Sequence, residues 1–399
     1  MVGRVIAKYR EAYSGLPKGV WMLAGVEFVN RAGTMVLFFL TLYLTRHLGF
    51  SLPQAGQVLS SYGVGSLIGS GVGGYLCDRI GAYHVQRLSL GLTATLLILL
   101  GLPESFVPVI ILAFLLGAAA ESLHPSNLTA VSQLCPPEIR TKGFSLNRLA
   151  ANLGLSIGPV LGGYLALFNY KWLFWVDGVT SLVALALFHA FFHSQAGPVS
   201  AHSSGPAPAR SPWTDGVFLL IWTLSFLVGI VFSQLFATFP LYVRQVYQLK
   251  ENAIGQLIAV NTVQIVLIEM LIIHALRGHE PARVARVGVL ALCTGFALMP
   301  FGRGFLYGAF TVVLWTFGEI LTIPVVVTLV AGRAGSTGQG RYQGLLTLSF
   351  ACATIAGPLV GAWVYNSAGP DILWFSCGVL GIALAGGFTA LIAITDRGK

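Results

Sequence analysis

Twelve apolar stretches follow one another along the chain, each about as long as a membrane-crossing helix, and nothing else in the sequence limits its fold so strongly. A helix needs about 20 mostly apolar residues to span the hydrocarbon core of a bilayer. The stretches run over 20–43, 54–77, 84–102, 106–132, 143–168 and 172–193 in the first half. In the second half they run over 214–243, 253–275, 286–302, 304–331, 343–366 and 371–395. Only 9% of the 399 residues are charged, where an ordinary soluble domain carries about 25%. So few polar side chains do not cover a water-facing surface, and a soluble enzyme is excluded. Disorder is excluded as well, because it needs low hydrophobicity and high net charge. The expected fold is an all-α membrane protein of 12 transmembrane helices.

The net charge of +9 raises the question of a nucleic-acid partner, and the placement of the basic residues answers it. With the N-terminus inside, sixteen Lys and Arg fall in cytoplasmic segments: Arg4, Lys8, Arg10, Lys18, Arg79, Arg87, Arg140, Lys142, Arg210, Arg277, Arg283, Arg286, Arg333, Arg341, Arg397 and Lys399. Five, Arg46, Lys171, Arg244, Lys250 and Arg303, fall on the other side. That is the positive-inside bias of a multi-pass protein with both termini cytoplasmic. The excess charge is thus topological and attracted to the inner leaflet, and no nucleic acid is expected. Met1 to Lys18 reads as a basic interfacial arm, since no small-residue cleavage site follows a short apolar core. The five cysteines lie far apart with no CxxC pair, which argues against a disulfide framework or a metal site. A phosphate-cradling ATP loop is also missing, so direct ATP drive is not expected.

One long polar connection, Ser194 to Trp213, is rich in Gly, Pro and Ser and nearly uncharged, the composition of a linker. It divides the chain into a six-helix bundle over 1–193, a cytoplasmic linker over 194–213 and a second bundle over 214–399. The halves echo each other. Ile157-Gly158-Pro159-Val160-Leu161-Gly162 recurs as Ala356-Gly357-Pro358-Leu359-Val360-Gly361 at an offset of 199, and Trp175 meets Trp374 and Pro125 meets Pro324 at the same offset. Glu121 and Glu319 lie one residue out of that register. Weak internal symmetry of this kind is a property of secondary transporters.

After the second apolar stretch comes Gly74-Tyr75-Leu76-Cys77-Asp78-Arg79-Ile80-Gly81. This resembles the Gly-x-Leu-x-Asp-Arg-x-Gly loop of the major facilitator superfamily, and the resemblance covers essentially the whole chain. It departs from the family where a basic pair usually follows, since Ala82-Tyr83 stand there and His84 and Arg87 come later. The resemblance implies two pseudo-symmetric six-helix bundles and gives Gly74, Asp78, Arg79 and Gly81 a gating role. In the fifth stretch Gly154, Gly158 and Gly162 recur every fourth residue, a stripe that lets helices approach closely, with Pro159 bending the helix. This is similar to a family pattern found mainly in proton-driven exporters. Gly357, Pro358 and Gly361 repeat it in the second half, with Ala353 in place of the first glycine.

Ionisable residues inside spans are expensive and usually line a pathway. Glu27 and Arg31 are four apart, on one helix face. Glu121, Glu269 and Glu319 lie within the fourth, eighth and tenth stretches, and Asp177 in the outer half of the sixth. A proton-coupled carrier needs a carboxylate that is neutral in one state and ionised in another, and a movable cation supplies that change. Glu27, Glu319, Glu121 and Glu269 are therefore the candidate proton carriers, and Asn30, Arg31, Tyr62, Asn152, Phe236 and Trp315 the candidate cavity residues. His124 lies one turn from Glu121. The first helix also resembles that of the proton-coupled peptide transporters, but Asn30 replaces their second carboxylate and Glu121 stands where they place a lysine. The leading expectation is a monomeric, proton-coupled antiporter of the cytoplasmic membrane that exports small amphipathic compounds or drugs. Its partners are protons, the transported molecule and membrane lipid, with no cofactor, metal or catalytic activity. The alternatives are a proton-coupled symporter for peptides or polar metabolites, and a lysolipid or lipid transporter.

Overall fold

The computed structural model describes residues 15–136, 139–192, 212–276, 278–334 and 339–397. The basic arm up to Ser14 and nearly all of the 194–213 connection lie outside the described residues, as does Arg277. Within them the chain is all helical and makes twelve long passages. The first is α1 (Lys18–Gly33) followed by α2 (Val36–Leu42) and a π-helical turn (Tyr43–His47). Then come α3 (Leu52–Ile80), α4 (Ala82–Leu100), the pair α5 (Phe106–Glu121) and α6 (Leu123–Leu134), α7 (Arg140–Phe168) and α8 (Lys171–Phe192). The second half has α9 (Gly216–Ala237) with α10 (Phe239–Gln245), then α11 (Glu251–Ala275) and α12 (Pro281–Ala297). It ends with α13 (Phe305–Ala334), α14 (Gln339–Ser367) and α15 (Pro370–Arg397).

Eleven of the passages, among the described residues, are long and apolar enough to cross a membrane. The twelfth, α3, is long enough at 29 residues, about 43 Å at 1.5 Å per residue, but its glycines and serines dilute its hydropathy. The structure shows what those glycines do. A methyl group added at Gly65 or Gly69 would collide with the carbonyl oxygen of Phe114 or Ala118 on α5, and one at Gly73 would lie 2.8 Å from Ser122 Cα. Lipid tails are as apolar as leucine, so helices in a membrane associate through close packing, and small residues allow it. Here close packing has displaced apolar bulk.

Three passages break where the residues dictate. The first stops at Gly33 and restarts at Val36, with Thr34 at ψ 88° between them. The fourth breaks at Ser122, whose hydroxyl donates to the carbonyls of Ala118 and Gly69, three residues before Pro125. The seventh breaks at Thr238, ahead of Pro240 in the first turn of α10. Proline brings no amide to the ladder, so it sits well at a helix start and badly further in.

The chain forms two compact units. The first comprises the described residues of Met1–Val36 and Val64–Ala201. In it α1 rests on α7 and α8, while α4 packs on α5 and α8. The glycine stripe of α7 faces α1: added methyls at Gly154 and Gly158 would lie 2.6 Å from the carbonyl oxygens of Phe28 and Thr34. At one end of this unit Tyr83, Phe188 and Phe192 stack, and Arg87 Nη2 donates to the Phe192 carbonyl at 2.7 Å, satisfying the C-terminal end of α8.

The second unit comprises Leu37–Gly63 and the described residues of His202–Lys399. In it α12 packs on α13 and α15, and α9 on α14. The α9–α14 contact repeats α1–α7 with one exchange. Gly357 and Gly361 face Ser233 and Gln234, and opposite Ala353 stands Gly229, where an added methyl would lie 2.5 Å from Ala353 Cβ. The glycine missing from the α14 stripe has its counterpart on α9, so the close approach is kept. The segment Leu37–Gly63 is fixed here by Thr41 Oγ1 to the Phe236 carbonyl at 3.3 Å and Ser60 Oγ to the Ile355 carbonyl at 2.6 Å.

A candidate proton-coupling site

The polar residues of each unit converge on a carboxylate. In the first unit Glu27 is buried on α1, and Arg31 Nε, one turn on, donates to its Oε1 at 2.8 Å. The other oxygen, Oε2, accepts from Asn127 Nδ2 on α6, also at 2.8 Å. Both oxygens are thus satisfied, one by charge and one by an amide 100 residues away. Arg31 keeps a third of its side chain exposed. Gly154 on α7 lets the two backbones meet there, because an added methyl would lie 2.7 Å from Arg31 Cβ. Glu121, the last residue of α5, lies within Coulombic range of His124, Arg31 and Glu27.

In the second unit Glu319 on α13 accepts from Asn261 Nδ2 on α11 at 2.7 Å, and the same amide reaches Thr316 Oγ1 at 3.1 Å. Asn261 is buried. Glu269 is buried about two turns further along α11. Glu27 and Glu319 thus share a design, a carboxylate on one helix held by an asparagine amide from another.

The other candidates fall as follows. Asn30, Tyr62 and Asn152 are half-buried. Phe236 lies against Phe38 with ring centroids 5.0 Å apart. Trp315 is fully buried, stacked on Phe296 at 5.3 Å, and Phe296 stacks in turn on Trp374 at 5.6 Å. Gly162, Pro159 and Pro358 are buried within α7 and α14. Of the motif after α3, Asp78 and Arg79 are exposed, with the Arg79 guanidinium 5.0 Å from the Tyr75 ring centroid. Gly74 opens onto free space, and Gly81 has φ 87°, a left-handed conformation that a side chain would strain. A cleft of about 570 Å³ at the start of α8 is lined by Trp172, Trp175, Val176, Val179 and Lys171 among others, and no candidate residue lines it.

Two features, the Asn127 and Asn261 amides and the Asp215 cap, escaped the sequence, and of Asp177 only the contacts did. Asn127 and Asn261 were legible only as lone amides inside apolar runs, which is the available signal. Asp177, buried on α8, accepts from the backbone amides of Met35 and Val36, both at 3.3 Å. Outside the apolar passages Asp215 caps α9 through Val217 N and Phe218 N and binds Arg333 through Nε and Nη2, each at 2.8 Å. The Arg333 guanidinium holds the Asp215 carboxyl below its ordinary pKa, helped by the Phe218 amide and Tyr342.

Comparison with known proteins agrees with this architecture. The chain is 27% identical to the MFS-type transporter YttB of Bacillus subtilis (strain 168) over 92% of its own length and 93% of that protein. It is 26% identical to the class E tetracycline resistance protein of Escherichia coli over 78% of each. A crystal structure of peptide transporter POT in complex with sulfate superposes with TM-score 0.80 at 18% identity, covering 96% of this chain and 95% of that one. The family model described as Major Facilitator Superfamily matches residues 23–345, from α1 into α14. The chain is thus a multi-pass integral membrane transport protein and belongs to the major facilitator superfamily.

Proposed function

We propose that this transporter is a proton-coupled secondary carrier of a small organic molecule that works by alternating access. The observation that carries the proposal is the buried Glu27, whose two oxygens are held by Arg31 and by Asn127. Arg31 balances an ionised Glu27, and in a low-dielectric interior a proton is the natural counter-charge once that guanidinium moves away. Protonation of Glu27 frees Arg31 for Glu121 or for an anionic group of the substrate, while Asn127 stays hydrogen-bonded to the neutral acid. Glu319, held by Asn261, is the corresponding acid of the second unit. Both lie on helices that secondary transporters of this kind rock against a central site.

Two readings of direction and cargo follow from different observations. The solved peptide-transporter structure with the same fold supports proton-coupled uptake of a peptide or another polar metabolite. A Glu27–Arg31 pair also suits a cargo that carries both charges. The tetracycline resistance protein matched along most of the chain supports export of small amphipathic compounds, and so does the α7 stripe. In both, Gly74, Asp78, Arg79 and Gly81 form the gating loop, the six-helix bundles run over 1–193 and 214–399, and both termini are cytoplasmic in a monomer of the cytoplasmic membrane. The test is counterflow in liposomes with an imposed pH gradient, run with dipeptides and with cationic dyes. Dipeptide accumulation along the inward proton gradient establishes symport, and dye movement against it establishes antiport. Movement of either that ignores the gradient refutes proton coupling.

A further inference from the structure

Asn127 holds Glu27 with one end of its amide and holds nothing with the other. Nδ2 donates to Glu27 Oε2 at 2.8 Å. Oδ1, on the same buried side chain, accepts from no donor among the described residues. A buried acceptor left unpaired costs free energy and needs a reason. The two ends of an amide have nearly the same shape, so a half-turn about χ2 exchanges them while Glu27 keeps its place. Because Oδ1 is bonded to nothing among the described residues, that half-turn gives up only the bond to Glu27. Asn261, the counterpart in the second unit, is pinned. Its Nδ2 donates both to Glu319 Oε2 and to Thr316 Oγ1, and the Thr316 hydroxyl donates to the Val312 carbonyl at 2.6 Å. Turned over, that amide would set its oxygen against a hydroxyl whose proton is already given.

We propose that Asn127 is a positioning residue for the proton on Glu27, and that its amide turns over when Glu27 is protonated. An ionised Oε2 only accepts, so it takes Nδ2. A proton bound to Oε2 makes that oxygen a donor, which opposes the Nδ2 hydrogens and takes Oδ1. The other oxygen, Oε1, is an acceptor in both states, but its ion pair with Arg31 is lost with the charge. The neutral acid therefore stays seated on α6 while the guanidinium is released. The inference rests on the proton-coupled reading. Charged and titratable groups on the surrounding helices are Arg31 on α1, Glu121 on α5, His124 on α6, Arg148 on α7, and Asp177 and His189 on α8. Arg31 is already on Glu27, and Asp177 Oδ2 is on the amides of Met35 and Val36. Any of these groups can move a pH profile, so the decisive readout is the amide itself.

The test is infrared difference spectroscopy of the full chain in lipid vesicles between acid and alkaline pH, with asparagine isotope-labelled at the side-chain carbonyl. In the parent, acid brings in the carbonyl band of a neutral carboxylic acid that Glu27→Gln lacks. With it the labelled carbonyl band of one asparagine moves to lower frequency, because its oxygen now accepts from an O–H. Asn127→Leu is expected to lose that moving band and Asn261→Leu to keep it. Glu27→Gln, whose side-chain amide turns its oxygen to Arg31 and its N–H to Asn127, is expected to hold the band in its acid position at every pH. That variant keeps the test open if Asn127→Leu does not fold. A Glu27 band that appears while the labelled band stays still overturns the proposal and leaves proton coupling standing. So does a moving band that persists in Asn127→Leu or in Glu27→Gln. Should acid bring in no Glu27 band at all, Glu27 takes up no proton, and the proton-coupled role given to it falls together with the proposal.

Discussion

Removing the Asp215 carboxylate separates two contributions that the structure joins in one side chain. Asp215 accepts from Val217 N and Phe218 N at the first turn of α9, and its two oxygens take Arg333 Nε and Nη2 at 2.8 Å, with Tyr342 Oη at 3.2 Å. It therefore ties the start of α9 to the end of α13 and the start of α14. The cap is worth about 1 kcal/mol. The Arg333 side chain is 41% exposed, so water screens the ion pair to about 0.2–1 kcal/mol. Asp215→Ala thus costs about 1–2 kcal/mol by these two sums, and Asp215→Asn, which keeps the cap, costs less than half as much. In detergent or nanodiscs that is a fall in Tm of about 1–2.5 °C for the alanine protein. The pH dependence has a definite sign. Arg333 depresses the folded-state pKa of Asp215, so its contribution is complete above the unfolded value of about 3.9 and is lost as pH falls through the lower folded value. The gap in Tm between parent and Asp215→Ala stays constant from pH 7 down to about 5 and closes only below about 4. Equal melting of parent and alanine protein, or an asparagine protein as unstable as the alanine one, refutes the partition into cap and pair.

Three further outcomes follow. Gly69→Leu forces α3 from α5 at the Ala118 carbonyl, and overpacking of this kind costs about 1–3 kcal/mol, read as lower Tm and a smaller monodisperse yield. Gly74→Ala, which meets free space, leaves Tm unchanged, and a loss of transport with Tm intact assigns Gly74 to a state other than the one described. Asn261→Leu removes the hydrogen bond to Glu319 at 2.7 Å, and transport falls at least about tenfold, the scale of a lost bond to a charged group, whereas Gln264→Leu, on the same helix, alters transport less than about threefold.

Much of the helical layout was legible because bilayer thickness fixes the length of an apolar run, and the Glu27–Arg31 pair was legible because a spacing of four places two residues on one helix face. The same rule reached no further than one helix. Asn127 approaches Glu27 across 100 positions and Asn261 approaches Glu319 across 58, so their meeting depends on how helices pack. Asp177 was visible as a costly charge, but its role depends on a break at Gly33 to Met35 that the unbroken hydropathy of 20–43 concealed. In α3 the signal ran the other way, since glycines that lower its hydropathy are the ones that seat it on α5. Trp175 and Trp374 match in sequence, yet the first is 44% exposed and the second fully buried, so pseudo-symmetry of sequence does not extend to every environment. The grouping of Leu37–Gly63 with the second half follows from packing and leaves no mark in composition.

The most direct test of proton coupling is the transport current on a solid-supported membrane, with purified protein in liposomes and a panel of dipeptides, antibiotics and cationic dyes. Each compound is run with and without a pH gradient, beside Glu27→Gln and Glu319→Gln. Proton coupling through these two carboxylates requires a current that depends on the gradient for at least one compound and is lost in both variants, although the glutamines keep their asparagine partners. A gradient-dependent current that survives in both contradicts it.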